Sequence, residues 1–410
     1  MNIYTTLHKA ARLYPNNEAV VDGSRRMTYA EVTGRVERLS AGLQRLGLMP
    51  QDGISIVAPN CLEFLEIYYA GARLNLLVNP INIRLLGSEI AFILNDAGSR
   101  LVVAHGDTAA EVVRALEEAP AVEGVIWLSD SAIPVPGRKV WTYERFLSET
   151  ERRKLPHRPV ADDRPAHLYY TSGTTGRPKG VILTHRNVTT HALAAIAEFN
   201  ISDADTWFHV APMFHLADAW ASFALTWVGG RHVMVSEFEP GKVLKLIETE
   251  RITLTNLIPT MLILMVNHPQ AKTHDYASLR VILSGGASIA PETIRRIIDT
   301  FGCDYIQTYG LTETSPYCTV STLKARLKAL PAERQREIIS RTGREFLAVE
   351  LRVVGESGTD VPADNRTVGE IWVRGETVTP GYLNRPEETA AAFHESWFKT
   401  GDLAVLDQEG

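Results

Sequence analysis

Tyr170–Gly180 reads YTSGTTGRPKG and concentrates groups suited to binding an anion. Thr171, Ser172, Thr174 and Thr175 supply hydroxyls, while Gly173, Gly176 and Gly180 let the backbone approach a ligand closely. Lys179 adds a cation, so donors and positive charge lie on one sterically permissive loop that suits the polyphosphate of a nucleotide. A turn-rich surface hairpin would account for the glycines and threonines, but not for the lysine and hydroxyl density together. The loop is not of the Walker A kind. Pro178 stands where the second glycine belongs, and Gly180 follows the lysine where Ser or Thr is needed. The next residues, VILTH, read as a strand where a Walker loop opens a helix, which disfavours a P-loop kinase.

Further blocks follow strand-like runs. DTWFHV leads into APMFH and His215, LRVIL into Gly285, Gly286 and Ala287, and DYIQ into Tyr309, Gly310, Thr312 and Glu313. In open α/β sheets ligands gather beyond the C-terminal ends of parallel strands, so these blocks should meet at one crevice. Glu313 is a hard oxygen donor suited to Mg²⁺, and the Tyr309 ring can stack on a base. Alone, each has a plainer reading: a solvated glutamate, a core aromatic, and for Asp402 in TGD an Asx turn.

Together the blocks resemble the adenylate-forming superfamily of acyl- and aryl-CoA synthetases, nonribosomal-peptide adenylation domains and luciferases. YTSGTTGRPKG is similar to its phosphate loop, and SGGASIAPE, YGLTETSP, GEIWVRG and FKTGD follow in the family's order, so the resemblance spans essentially the whole chain. It implies that a carboxylate and ATP give acyl-AMP and pyrophosphate, after which the CoA thiolate displaces AMP. ATP, Mg²⁺ and CoA are therefore expected. By resemblance Thr171 to Gly176 and Lys179 surround the phosphates, and Thr312 contacts the α-phosphate. Glu313 holds the metal, Asp402 accepts the ribose hydroxyls, and Gly285, Gly286, Ala287, Tyr309 and Gly310 surround the adenosine. His215 borders the reacting carboxylate together with Gly286. Trp220 matches an aromatic gate of fatty acyl-CoA synthetases, with a plain packing tryptophan as the other reading. Thr171, Lys179, His215, Thr312 and Glu313 form the expected catalytic set, acting through position and charge because charge develops on phosphoryl oxygens.

Amino-acid-activating relatives carry an aspartate after an aromatic residue in the APMFH region. Here His215 and Leu216 follow Phe214, and Asp218 stands in a different frame. With apolar candidate tunnel segments in NLIPTMLILM and SGGASIA, a hydrophobic acyl, aryl or alicyclic acid is expected. The rivals are an acyl-AMP ligase that loads a carrier protein and a non-catalytic nucleotide- or acyl-binding module. Family members carry a further C-terminal domain with a distal catalytic lysine. Lys399 is the last lysine here, so this domain is expected to be absent and acyl-CoA formation by the chain alone to be slow.

At 410 residues the chain is about 2.7 times the usual domain unit. It is 45% hydrophobic and 22% charged, which excludes a disordered or fibrous protein. Its net charge of −6, without a long basic tract, argues against nucleic acid as a main partner. Cys61, Cys303 and Cys318 lack metal-ligand spacing, there is no signal-peptide pattern, and Leu254–Val266 is too short and interrupted to span a membrane. A reduced cytoplasmic protein is expected, with a homodimer left open. From residue 53 onward, β-branched runs alternate with amphipathic patterns, and DTAAEVVRALEEA reads as a helix with Asp107 as N-cap. Residues 152–165 read as a linker, and after Arg341 the apolar period becomes two. The expected architecture is α/β: a β/α subdomain over 1–166, a second over 167–335 carrying the phosphate loop, both with mostly parallel sheets, and a smaller antiparallel β subdomain over 336–410.

Overall fold

The computed structural model describes residues 1–151, 159–171 and 177–410. Ser172, Gly173, Thr174, Thr175 and Gly176 of the expected phosphate loop, and 152–158 of the expected linker, lie outside the described residues.

Runs such as Gly53–Val57 and Val281–Ser284 are buried at every position, the pattern of strands covered by helices on both faces. They build two large sheets. The seven-stranded one runs, in spatial order, Lys139–Thr142, Gly124–Leu128, Ser99–His105, Gly53–Val57, Leu77–Pro80, Pro165–Thr171 and Lys179–Thr184. The nine-stranded one runs Arg344–Glu345, Tyr317–Val320, Asp304–Gly310, Val281–Ser284, Leu254–Asn256, Thr206–His209, Arg231–Met234, Glu18–Asp22 and Arg25–Thr28. Interior pairings are parallel, and antiparallel ones occur toward the edges, as where Lys179–Thr184 folds back on Pro165–Thr171. A four-stranded antiparallel sheet follows. Along its Val368–Arg374 strand Gly369, Ile371 and Val373 are buried while the residues between them face outward, matching the period-two reading.

The sheets do not divide at residue 166. The hairpin of the phosphate loop joins the first sheet, through a parallel pairing of Val78 with His167. Glu18–Asp22 and Arg25–Thr28 cross to the second sheet, where Val20 pairs with His232. Local periodicity identifies a strand but not its long-range partner, which tertiary burial selects. One apolar core spans both sheets: Ile54 and Val78 from the first share it with Trp207 and Leu283 from the second. Leu62–Leu74 is buried along nearly its whole length and lies in that core. Its two glutamates are neutralised: Arg35 and the Tyr143 hydroxyl (2.7 Å) hold Glu66, and Arg25 holds Glu63. Burial nonetheless raises the Glu66 pKa to about 7, the strongest opposing effect being the Arg35 charge.

One local expectation is corrected. Asp107 lies inside a 3₁₀ turn, Gly106–Thr108, and the helix begins at Ala109; the residue accepting a turn amide is His105, through Nδ1. The apolar helix Pro259–Val266 buries Leu262 and Met265 but leaves Ile263 and Leu264 exposed, so only one of its faces joins the core. Among the described residues no helix is long and apolar enough to cross a membrane.

Candidate active site

The hairpin places Thr171 directly opposite Lys179 at its loop end. The neighbouring Tyr170 is tied down by its hydroxyl, which donates to Asp96 Oδ2 at 2.8 Å. A third segment is stitched along the outer strand: Ile182 N donates to Gly381 O (3.1 Å), Leu383 N to Gly180 O (2.8 Å) and Thr379 Oγ1 to Ile182 O (2.6 Å). Those bonds carry Tyr382 to the hairpin's mouth. There the Lys179 ammonium lies 5.4 Å from the centre of the Tyr382 ring, within cation–π range.

Glu313 arrives from the other sheet. Strand Asp304–Gly310 ends in a 3₁₀ turn, Thr312–Thr314, and the chain then reverses into Tyr317–Val320. The reversal requires glycine at 310, where a Cβ would stand 1.9 Å from the Pro316 carbonyl oxygen. Thr314 is buried and locks the turn, accepting from Leu311 N at 3.0 Å and donating to the Pro316 carbonyl. Thr379 N donates to the Glu313 carbonyl at 2.7 Å, and Tyr382 Oη donates to Glu313 Oε1 at 2.8 Å. Glu313 is only 8% exposed, with Thr312 half-buried beside it. The structure thus brings Thr171, Lys179, Thr312 and Glu313 together.

Tyr309 and Asp402 also meet, since the Tyr309 hydroxyl donates to Asp402 Oδ2 at 2.6 Å. Burial and then that bond raise the Tyr309 pKa. Both residues line a cavity of about 860 Å³ bounded by Val320, Leu327, Leu351 and Arg341, which Lys179 and Glu313 do not line. Gly285, Gly286 and Ala287 follow strand Val281–Ser284, which pairs with the strand that carries Tyr309. Gly286 has φ +80°, which favours glycine, and nothing lies within 4 Å of where its Cβ would be. The next strand steadies this turn: Gln307 Nε2 donates to Ala287 O (3.0 Å) and Thr308 Oγ1 to Ser284 O (3.2 Å).

His215 precedes the short helix Leu216–Ala219, exposed but recessed: desolvation first, then the Arg84 charge, lower its pKa. Its segment is clamped by buried Asn60, which donates to His209 O (3.0 Å) and Ala211 O (2.9 Å) and accepts from Met213 N (2.7 Å). Trp220 does not stand at an opening. It is 2% exposed, packs on Trp207, His191 and Tyr317, and donates to Tyr317 Oη at 3.0 Å, the surroundings that the packing reading describes. Asp218 is engaged internally by His209 Nδ1 (2.5 Å) and Trp207 Nε1 (3.2 Å).

Sequence reasoning missed Tyr382 and Asn60. The signal for Tyr382 was GYLNRPE, a turn-forming segment with an aromatic residue placed shortly after GEIWVRG. Asn60 was visible only as the polar end of the strand-like GISIVAPN.

Known proteins resemble this chain along its length. The family described as AMP-binding enzyme matches residues 7–383. A feruloyl-CoA synthase of Amycolatopsis sp. is 33% identical over 403 residues, covering 98% of this chain and 76% of that protein. A long-chain-fatty-acid–CoA ligase of Thermus thermophilus is 32% identical over 419 residues, covering 100% and 76%. The inhibitor-bound crystal structure of the N-terminal domain of FACL13 from Mycobacterium tuberculosis superposes with a TM-score of 0.86 at 28% identity, covering 100% of this chain and 98% of that one. With a family model matching residues 7–383 and relatives aligned along its length, the chain belongs to the AMP-binding enzyme family, among the AMP-forming acid–thiol ligases.

Proposed function

We propose that the chain activates a hydrophobic carboxylic acid: a carboxylate oxygen attacks the α-phosphorus of ATP, pyrophosphate leaves, and the acyl-AMP carbonyl is then attacked by the CoA thiolate with loss of AMP. The observation that carries this reading is the meeting of Lys179, from one sheet, with Glu313, from the other, around Tyr382. Lys179 and Thr171 would hold phosphate oxygens, with Ser172 to Gly176 completing the loop. Thr312 would contact the α-phosphate, where charge builds as the bond to pyrophosphate breaks. Tyr309 would stack on adenine beside Gly285, Gly286, Ala287 and Gly310, and Asp402 would accept the ribose hydroxyls. His215 would border the acid's carboxylate.

Among the described residues no group of three or more His, Cys, Asp or Glu could cage a metal. Glu313 instead offers one hard carboxylate near the lysine, which fits Mg²⁺, an ion commonly bound through one or two carboxylates together with substrate phosphates. When bound, Mg²⁺ supplies charge neutralisation at the phosphoryl oxygens.

Asp218 supports the apolar choice of acid, because its carboxylate is buried against His209 and Trp207 and cannot pair with an amino acid's ammonium. Relatives named for feruloyl and long-chain fatty acyl groups agree with an aryl or acyl acid. The test is a pyrophosphate-exchange screen over fatty, aryl, alicyclic and amino acids. Exchange with an apolar acid, lost in Lys179→Ala and Glu313→Ala, is expected. Exchange confined to amino acids, or untouched by both substitutions, would sink the proposal.

A further inference from the structure

We infer that Tyr382 is a positioning residue that presents Glu313 to the metal and keeps Lys179 apart from it; this rests on the reading of Glu313 given above. Among the described residues the hydrogen bond from Tyr382 Oη is the one that reaches the Glu313 carboxylate, at Oε1 and 2.8 Å. Oε1 is thereby fixed and Oε2 is left for a cation. A phenol carries its proton at neutral pH, so in this bond the tyrosine donates and the carboxylate oxygen accepts. The opposite feature of the same side chain, its ring face, receives the Lys179 ammonium at 5.4 Å. The lysine therefore rests on an aromatic surface and not on the buried carboxylate, which leaves both charges available to a triphosphate.

The tyrosine is itself held. Its backbone N donates to Thr389 Oγ1 at 3.0 Å, it bridges to Val181, and its neighbours Gly381 and Leu383 are bonded to the Lys179–Thr184 strand. Thr379, three residues earlier, is bonded to both that strand and the Glu313 backbone. Tyr382 is thus carried by a segment that ties the phosphate-loop strand to the metal-bearing turn, and its hydroxyl and ring extend that tie to the two functional groups.

Tyr382→Phe removes the hydroxyl and keeps the ring; Tyr382→Leu removes both. In the intact protein, Tyr382→Phe should raise the Mg²⁺ concentration giving half-maximal pyrophosphate exchange about tenfold, while kcat at saturating Mg²⁺ stays within about twofold. Calorimetry with ATP, without acid, should show weakened binding in Mg²⁺ and unchanged binding in EDTA. Tyr382→Leu should in addition weaken the EDTA binding, because Lys179 loses its rest. If Tyr382→Phe leaves the Mg²⁺ midpoint in place while Glu313→Gln shifts it, Tyr382 does not position the carboxylate and Glu313 keeps its role. If Glu313→Gln leaves the midpoint in place, the metal reading itself fails. A loss of thermal stability and kcat in Tyr382→Phe without a midpoint shift marks a purely structural residue and also overturns the inference. Should Tyr382→Leu not fold, the Phe variant and its calorimetry decide alone.

Discussion

Tyr309 and Asp402, 93 residues apart, are joined by a 2.6 Å hydrogen bond from the phenol to the carboxylate. The bond links a strand of the nine-stranded sheet to one of the four-stranded sheet. A carboxylate has lone pairs to spare, so Asp402 can accept from Tyr309 and from a sugar hydroxyl at once. The bond therefore orients the carboxylate that the proposed function assigns to the ribose.

Removing that carboxylate should show in nucleotide affinity. A hydrogen bond to a charged group is worth about 1.5–3 kcal/mol, so Asp402→Ala should raise the KM for ATP roughly 10- to 150-fold, with a smaller effect on kcat. Tyr309→Phe retains the stacking ring and should shift that KM by less than about threefold. Steady-state kinetics on both variants checks the pair; equal losses would place the tyrosine hydroxyl, not the aspartate, on the nucleotide.

Lys179 makes a complementary case, because its ammonium rests on an aromatic face at a half-buried edge position. Little folding energy depends on it. Lys179→Ala should lower pyrophosphate exchange about 10²–10³-fold, the range seen when one preorganised charge-stabilising donor is lost, with an almost unchanged melting temperature. A large fall in melting temperature would make the lysine structural and undo its placement on the phosphates.

The strands were legible because both-face burial writes continuous apolar runs such as GISIV, and one-face burial writes the alternation around Ile371 and Val373. Sheet membership was not, since nothing local to HLYYT says that His167 pairs beside Val78. The site divides the same way. Lys179 stands in a loop whose hydroxyls, glycines and charge suit an anion, while Glu313 and Asp402, plain residues when read alone, take their expected roles from the family resemblance of the motifs around them. Tyr382 draws its meaning from a partner 69 residues away, and Asn60 from backbone atoms about 150 residues away. Trp220 reads as gate or packing from its own segment, which does not show that Trp207 and Tyr317 surround it.

Gly310 should tolerate no side chain. A Cβ there would meet the Pro316 carbonyl oxygen at 1.9 Å and its carbon at 2.8 Å, both backbone atoms that cannot swing away. Gly310→Ala must push apart the two strands that flank the Glu313 turn. Expected outcomes are a loss of about 3 kcal/mol or more, at the high end for single substitutions, and loss of exchange activity even in the fraction that folds. At Gly286 the space is open, and Ala would cost only the backbone penalty of φ +80°, about 1–2 kcal/mol. Urea denaturation of the two variants ranks them; a Gly310→Ala protein as stable as Gly286→Ala would show that the turn can relax.

His191 should make the fold sensitive to acid. It is 1% exposed, stacks on Phe346 at 5.1 Å, and among the described residues neither ring nitrogen has a hydrogen-bond partner. Burial alone lowers its pKa from 6.5 to about 3. Between those values the unfolded chain binds a proton that the folded chain refuses, so stability is complete above pH 6.5 and falls as the pH drops toward 3. At pH 5 the loss from this one residue is about 2 kcal/mol. His167 and His185, with pKa values lowered to about 3 and about 4, add losses of the same sign. His191→Leu keeps an apolar side chain of comparable size and cannot titrate. Its urea midpoint should therefore gain on the parent protein by about 2 kcal/mol more at pH 5 than at pH 8. Parallel stability curves for the two proteins across that interval would mean that His191 is protonated in the folded state.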